Sequence, residues 1–167
     1  MRVRSNIILI GMPAVGKSTV GVLLAKQLRR GFRDTDLLIQ TGENCYLRDI
    51  IAARGNAGFF AEEERYLLKV TASGYVIATG GSAVYSLSAM NHLRSLGTIV
   101  YLQTSLAQLE ARLANIIDRG VVHAPGETIA DLYRQRTPLY ERYAEVTVIC
   151  DDLRPDQIVA AICAVLA

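Results

Sequence analysis

The stretch GMPAVGKST, Gly11 to Thr19, constrains this chain more than any other. It matches G-x-x-x-x-G-K-[ST], follows the apolar run NIILIG (6 to 11) and opens a helix-period segment. Those flanks are what the motif's mechanism requires. Successive backbone N–H groups and a helix N-terminus cradle phosphate oxygens, a lysine reaches the outer phosphates, and the hydroxyl after it ligates a divalent cation. The spacing therefore predicts that Gly11, Ala14, Gly16, Lys17, Ser18 and Thr19 bind a Mg²⁺-nucleoside triphosphate, and that the chemistry is phosphoryl transfer or hydrolysis.

Four further short runs read as strands: a segment near Gly31 to Arg33, YVIATG (75 to 80), TIVYLQ (98 to 103) and VTVIC (146 to 150). Short continuous apolar strands are typical of a parallel sheet buried on both faces. Between them Val20, Leu23, Leu24, Gln27 and Leu28 mark one helix face, Ser105 with Gln108 reads as a capping box, and Pro155 suits the first turn of a closing helix. The alternation predicts an α/β fold, a three-layer αβα sandwich with a five-stranded parallel sheet. With 167 residues, 51% of them hydrophobic, one domain spanning 1–167 is expected. Two stretches stand outside the layers: a helical region over 37–73 and a polar loop, IIDRGVVHAPGE, over 116–127. Excursions of this kind cover a ligand crevice, the first as an acceptor-binding insertion and the second as a mobile lid.

Composition excludes several classes. The net charge is +2 and the charges are scattered without an aromatic-basic stripe, which argues against nucleic acid as a partner. Fifteen of the eighteen basic residues are arginine, which favours forked contacts to phosphate or carboxylate. Cys45, Cys150 and Cys163 lack disulfide-framework or zinc spacing and read as reduced, buried thiols of a cytoplasmic protein. The run Ile7 to Ile10 is too short for a signal peptide, and no membrane partner is expected. A monomer is the expected state, without a sequence signal that specifies it.

Metal and acceptor need further oxygen ligands, and RDTD supplies Asp34 and Asp36 just past the second strand. One carboxylate would hold Mg²⁺ with Ser18; the other would orient an acceptor hydroxyl. Gly80 and Gly81 end the third strand, where missing side chains would let a substrate approach the backbone.

These motifs, together with RTPLY from Arg136 to Tyr140, resemble the shikimate kinase family over essentially the whole chain. The resemblance implies a P-loop kinase fold and ATP- and Mg²⁺-dependent phosphorylation of a hydroxyl on a small hydroxy acid, with shikimate as leading acceptor. It implies Lys17 on phosphate, Asp34 supporting Mg²⁺, Asp36 as base for the acceptor, Arg119 as lid arginine and Arg136 on the acceptor carboxylate. Arg112 and Pro155 would flank adenine. The catalytic set is then Lys17, Asp36 and Arg119.

The chain departs from the family pattern where the acceptor would sit. Phe60 stands where the family has an arginine, Ser82 replaces a glycine, Gly120 a proline and Ala14 a P-loop glycine. One expectation is that Phe60 lines the acceptor pocket and alters specificity. The other is that Phe60 is core and that Arg48 or Arg65 supplies the missing charge. An amino-acid-like acceptor such as homoserine would use Arg136 with Asp36, Glu62 or Glu63. A nucleotide-binding regulatory protein without acceptor catalysis is the reading from a different class.

Overall fold

The structure is a computed structural model and describes residues 5–113 and 126–166. Its centre is a five-stranded sheet in the order β2-β3-β1-β4-β5, with every pairing parallel. The strands are β1 (Asn6–Ile10), β2 (Gly31–Asp34), β3 (Tyr75–Ala78), β4 (Gly97–Gln103) and β5 (Val146–Ile149). The helices are α1 (Lys17–Leu28), α2 (Thr35–Glu43), α3 (Leu47–Leu68), α4 (Leu87–Leu96), α5 (Leu106–Leu113), α6 (Ile129–Tyr143) and α7 (Pro155–Leu166). A single 3₁₀ turn covers Ala83–Tyr85. Among the described residues no helix is long and apolar enough to cross a membrane.

The period-2 alternation of strand side chains divides the core into two layers. Ile8, Ile10, Ile77, Ile99 and Tyr101 face one side with Leu67 of α3, Met90 and Leu93 of α4 and Tyr140 of α6. Ile7, Leu9, Val76, Val100, Leu102 and Val148 face the other with Val20 and Leu24 of α1 and Ile158 and Ile162 of α7. This is the three-layer sandwich expected from the alternating runs.

Details differ from the sequence reading for local reasons. The buried face of α1 is Lys17, Val20, Gly21, Leu24 and Ala25, while Leu23 is exposed. The stripe rotates toward small residues because Gly21 packs against the Phe32 ring. Ser105 does accept from Gln108 N–H, but the Gln108 side chain reaches Asp152 instead of closing the box, and Asp151 takes the Ser105 N–H. Of the cysteines only Cys150 is fully buried.

The helical region 37–73 resolves into α2 and a bent α3. Gly55, at φ 67 and ψ 179, breaks the helical path inside α3, a conformation that glycine reaches without steric cost. A charge network bridges the bend. Arg54 pairs with Glu62 at 2.7 Å and with Glu43 of α2 at 3.2 Å, and Arg65 bonds Glu43 and Glu62 at 2.6 and 2.7 Å.

Asn6 anchors the sheet at its amino end and has no motif to announce it. Its buried amide donates to Ala72 and Leu96 carbonyls at 2.7 and 3.0 Å and accepts from Tyr75 N–H at 2.9 Å. It thereby ties β1 to the segments entering β3 and β4. Asn6→Leu keeps the branched shape of the side chain and strands three backbone groups, so it is expected to cost about 2 to 4 kcal/mol. Urea unfolding checks this; a loss below about 0.5 kcal/mol would show the anchor to be dispensable.

Candidate active site

The P-loop runs from β1 to α1, at the carboxyl end of the central strand. Gly11 has φ 146, and a Cβ there would meet the Leu102 carbonyl oxygen at 2.6 Å, so the turn admits only glycine. Gly16, at φ 102, precedes α1 without a side-chain cap, and the first turn carries no acidic residue. The helix N-terminus is thus left open to an anion. Ala14 sits at φ 64, in the left-handed region that its family counterpart glycine occupies freely. Lys17 Nζ bonds the Gly11 and Met12 carbonyls at 2.8 Å each, which folds its ammonium back into the loop. Arg112 Nη1 donates to the Val15 carbonyl at 3.1 Å and braces the loop from α5.

A crevice of about 540 Å³ opens beside this loop. Ala14, Gly16, Lys17, Ser18 and Thr19 line one part, and Asp36, Gly80, Gly81 and Arg136 another. Most of the nucleotide and acceptor residues expected from sequence therefore border one cavity, with Gly11, Asp34 and Phe60 outside its lining. Pro155 opens α7 outside that cavity, and Arg112 touches the loop without lining it. Arg119, and with it most of the 116–127 segment, lies outside the described residues.

Asp34 and Asp36 have separate tasks. Asp34 caps α2, with Oδ1 accepting from Asp36 N–H at 2.9 Å and Leu37 N–H at 3.3 Å. Its Oδ2 accepts from Ser18 Oγ at 2.5 Å. Two hard oxygens next to a phosphate loop are a suitable donor pair for Mg²⁺, which takes one or two protein oxygens and completes its shell with phosphate and water. Among the described residues there is no cluster of three or more acidic, histidine or cysteine ligands, so a metal here depends on a ligand's oxygens. Asp36 instead points inward: its Oδ1 is buried with no hydrogen-bond partner.

Glu63 is the residue that motif reading underweighted. It is 2% exposed on α3, its Oε2 accepts from Ser82 Oγ at 2.6 Å, and its Oε1 is buried without a partner. A Cβ on Gly80 would lie 2.5 Å from Glu63 Oε1 and 2.7 Å from Asp36 Oδ1. One on Gly81 would lie 3.0 Å from Arg136 Nη1. The two glycines thus leave room for the protein's own charged side chains, and Gly81 also for the Pro13 ring, whose Cδ would lie 2.9 Å from a Cβ there. The signal was available in the sequence: Phe59, Glu63 and Leu67 recur every four residues, placing a glutamate within a buried stripe.

Burial dominates the electrostatics. It pushes the Asp36 carboxyl up to about 6, with Asp34 adding to the rise and Lys17 opposing it. It pushes Glu63 up to about 7, against the Ser82 hydrogen bond and the charges of Arg136 and Lys17. It brings the Lys17 ammonium down to about 8, against the attraction of Asp36. Desolvation thus outweighs mutual attraction at all three groups.

Phe60 requires a correction. The structure does not bring it to the crevice; it lines a separate recess with Glu64, Leu67 and Tyr85. Its ring lies 5.3 Å from that of Tyr85, whose hydroxyl accepts from Arg136 Nε at 3.1 Å and whose ring lies 5.3 Å from the guanidinium carbon. Phe60 therefore supports Tyr85, and Tyr85 supports Arg136, which is 1% exposed. Phe59 is the ring that reaches the crevice, from the small core of Ile39 and Ile50. Glu62 and Arg65, each once a candidate for acceptor charge, are consumed by the network across the α3 bend.

Comparison with known proteins identifies the family. Residues 13–167 match the family model "Shikimate kinase". A shikimate kinase of Thiobacillus denitrificans is 39% identical over 151 residues, covering 89% of this chain and 82% of that protein. Shikimate kinase 1 of Escherichia coli is 36% identical over 156 residues, covering 91% of this chain and 90% of its own. The solved shikimate kinase of Acinetobacter baumannii in complex with shikimate superposes with a TM-score of 0.89 at 28% identity, covering 97% of this chain and 92% of that one. The P-loop, the paired aspartates and the buried arginine thus occur in a chain that belongs to the shikimate kinase family, ATP-dependent kinases that phosphorylate an alcohol group.

Proposed function

We propose that this chain transfers the γ-phosphoryl group of ATP to a hydroxyl of shikimate, giving shikimate 3-phosphate and ADP. The observation that carries the reading is the buried, unpartnered Asp36 Oδ1 in one crevice with the Lys17 phosphate loop and the buried Arg136. ATP would bring phosphate oxygens to Lys17, and a hydroxy acid would bring a hydroxyl proton to Asp36 and a carboxylate to the cationic Arg136.

The acceptor hydroxyl donates its hydrogen bond to Asp36, which aligns its oxygen with the γ-phosphorus. The new O–P bond forms as the bond to the ADP oxygen breaks, and the hydroxyl proton passes to Asp36. Lys17 leaves its two backbone carbonyls for the phosphate oxygens and balances the charge spread over them as transfer proceeds. Ser18 and Asp34 would hold Mg²⁺, which supplies further neutralisation of phosphate charge when bound. Arg119 is assigned to the same phosphates by the family pattern. Because phosphoryl transfer passes through a loose transition state, positioning contributes more than basicity.

A coupled assay of ADP release with shikimate, ATP and Mg²⁺ tests the reading. Lys17→Ala is expected to lower kcat by several orders of magnitude, whereas turnover within tenfold of wild type would remove Lys17 from the mechanism. Asp36→Asn should lose at least about a thousandfold in kcat while ATP binds with unchanged Kd. Loss of ATP affinity with preserved turnover would exchange the roles of Asp34 and Asp36. Tyr85→Phe removes the acceptor for Arg136 Nε and should raise KM for shikimate about tenfold without affecting KM for ATP. An equal rise for both substrates would mean that Tyr85 supports the fold and not the carboxylate site.

A further inference from the structure

The 3₁₀ turn Ala83–Tyr85 carries a side chain that two helices meet. The Tyr85 ring centroid lies 5.3 Å from that of Phe60 on α3 and 5.3 Å from the guanidinium carbon of Arg136 on α6. Its hydroxyl accepts from Arg136 Nε at 3.1 Å and donates to Gln135 Oε1 at 3.4 Å. Two successive residues of α6 therefore hold the hydroxyl end, and Phe60 meets the ring. The turn is closed by Tyr85 N–H on the Ser82 carbonyl at 3.0 Å and Ser86 N–H on the Ala83 carbonyl at 3.2 Å. Those bonds fix the backbone and leave the Tyr85 side-chain torsions to be decided by packing. Tyr85 is 38% exposed, so general burial does not decide them.

Open space lies beside this contact. A recess of about 330 Å³ is lined by Phe60, Tyr85, Leu67 and Ala83, together with Glu63 and Glu64. An aromatic side chain changes rotamer only where there is room, and the recess supplies it. The side chain that meets Tyr85 along that recess is the Phe60 ring, tilted at 56° to it. Phe60 is in turn met edge-on by Phe59 at 6.3 Å between centroids, and Phe59 is 2% exposed in the small core of Ile39 and Ile50. The ring pair thus carries the rigidity of the α2–α3 core to Tyr85. An aliphatic side chain at position 60 removes the aromatic partner and widens the recess, which gives Tyr85 room to swing away from α6. The buried Arg136 then loses the hydroxyl that receives its Nε–H.

We propose that Phe60 is a positioning residue of the acceptor site, which bars Tyr85 from the recess and so keeps the Tyr85 hydroxyl on Arg136. This rests on the reading that Arg136 binds the carboxylate of a hydroxy acid such as shikimate. Position 60 then sets acceptor affinity without touching the acceptor. Its ring fixes the direction of one guanidinium, where an arginine would add a second.

One arm of the test needs no substrate. In the ligand-free protein, hydrogen exchange of the Arg136 Nε–H is followed by NMR, with the resonance assigned by its loss in Arg136→Lys. Phe60→Leu should speed this exchange at least about tenfold, and Phe60→Tyr, which keeps the ring, should return it toward the wild-type rate. Equal exchange in wild type and Phe60→Leu would overturn the proposal. The second arm is kinetic. Phe60→Leu should raise KM for shikimate about tenfold, with kcat within about threefold and KM for ATP unchanged, and Phe60→Tyr should recover most of the loss. Combined with Tyr85→Phe, Phe60→Leu should still leave KM about tenfold above wild type, because both changes act on one contact. A product of about a hundredfold would show that Phe60 acts by another route and overturn the proposal. So would a shikimate KM within about threefold of wild type, or a matching rise in KM for ATP, which marks a defect of the fold. Failure of the wild type to phosphorylate shikimate would overturn the proposed acceptor alone, and the exchange arm would then decide the role of Phe60.

Discussion

The organising constraint of this molecule is the set of charges withheld from water at the carboxyl ends of β1, β2 and β3. Lys17, Asp36, Glu63 and Arg136 are all buried or nearly so, and two of their carboxylate oxygens have no partner. Burial outweighs attraction for Lys17, Asp36 and Glu63, so each of these charges is held at a cost relative to water. Much of the surrounding architecture exists to tolerate it. Gly80 and Gly81 give up side chains to make room, Ser82 supplies one hydrogen bond to Glu63, and Tyr85 supports the Arg136 guanidinium. Under the proposed function, the phosphates of ATP and the hydroxyl and carboxylate of the acceptor would relieve the same groups, turning stability withheld from the free protein into binding and alignment.

The hydrophobic layers make this possible by being unremarkable. Alternating strand residues bury both sheet faces, and Asn6 pins the amino end of the sheet, so the carboxyl end can carry the poorly satisfied groups. The α2–α3 region is different in kind. Its own core is small, built on Ile39, Ile50 and Phe59, and the Glu43, Arg54, Glu62 and Arg65 network bridges the Gly55 bend. Because that bent helix carries Glu63, the relative direction of its halves sets where the buried carboxylate stands.

What could be read from sequence follows from how local each signal is. The P-loop, the strand runs and the paired aspartates depend on neighbours within a few residues, and their placement in one crevice follows from the parallel order of β1, β2 and β3. The capping aspartate and the inward aspartate could not be told apart by spacing alone, since α2 starts between them at Thr35. The choice between pocket and core for Phe60 could not be made from sequence for a tertiary reason: its ring meets Tyr85, twenty-five residues away on the 3₁₀ turn, which no periodicity reports. Asn6 looked like the edge of an apolar strand because its partners at Ala72, Tyr75 and Leu96 are distant in the chain. Glu63 was legible in principle, as a charge in the stripe Phe59, Glu63, Leu67, and was hidden by the exposed glutamates beside it.

The account rests on the claim that the free protein bears a cost for holding these charges in place, and the pH dependence of stability measures that cost. Glu63 ionises near 7 in the folded chain and near 4.5 when exposed, so the folded state binds the extra proton between those values. Its contribution to stability therefore falls as pH rises from 4.5 through 7. Denaturant unfolding of the ligand-free wild type and Glu63→Gln at pH 5 and pH 8 isolates this effect, because the amide has the carboxyl's shape and no charge to lose. The account predicts that Glu63→Gln gains about 2 kcal/mol relative to wild type between pH 5 and pH 8. A Glu63→Gln protein whose stability relative to wild type is the same at both pH values, or lower at pH 8, would contradict it and show that the charged cluster stabilises the fold.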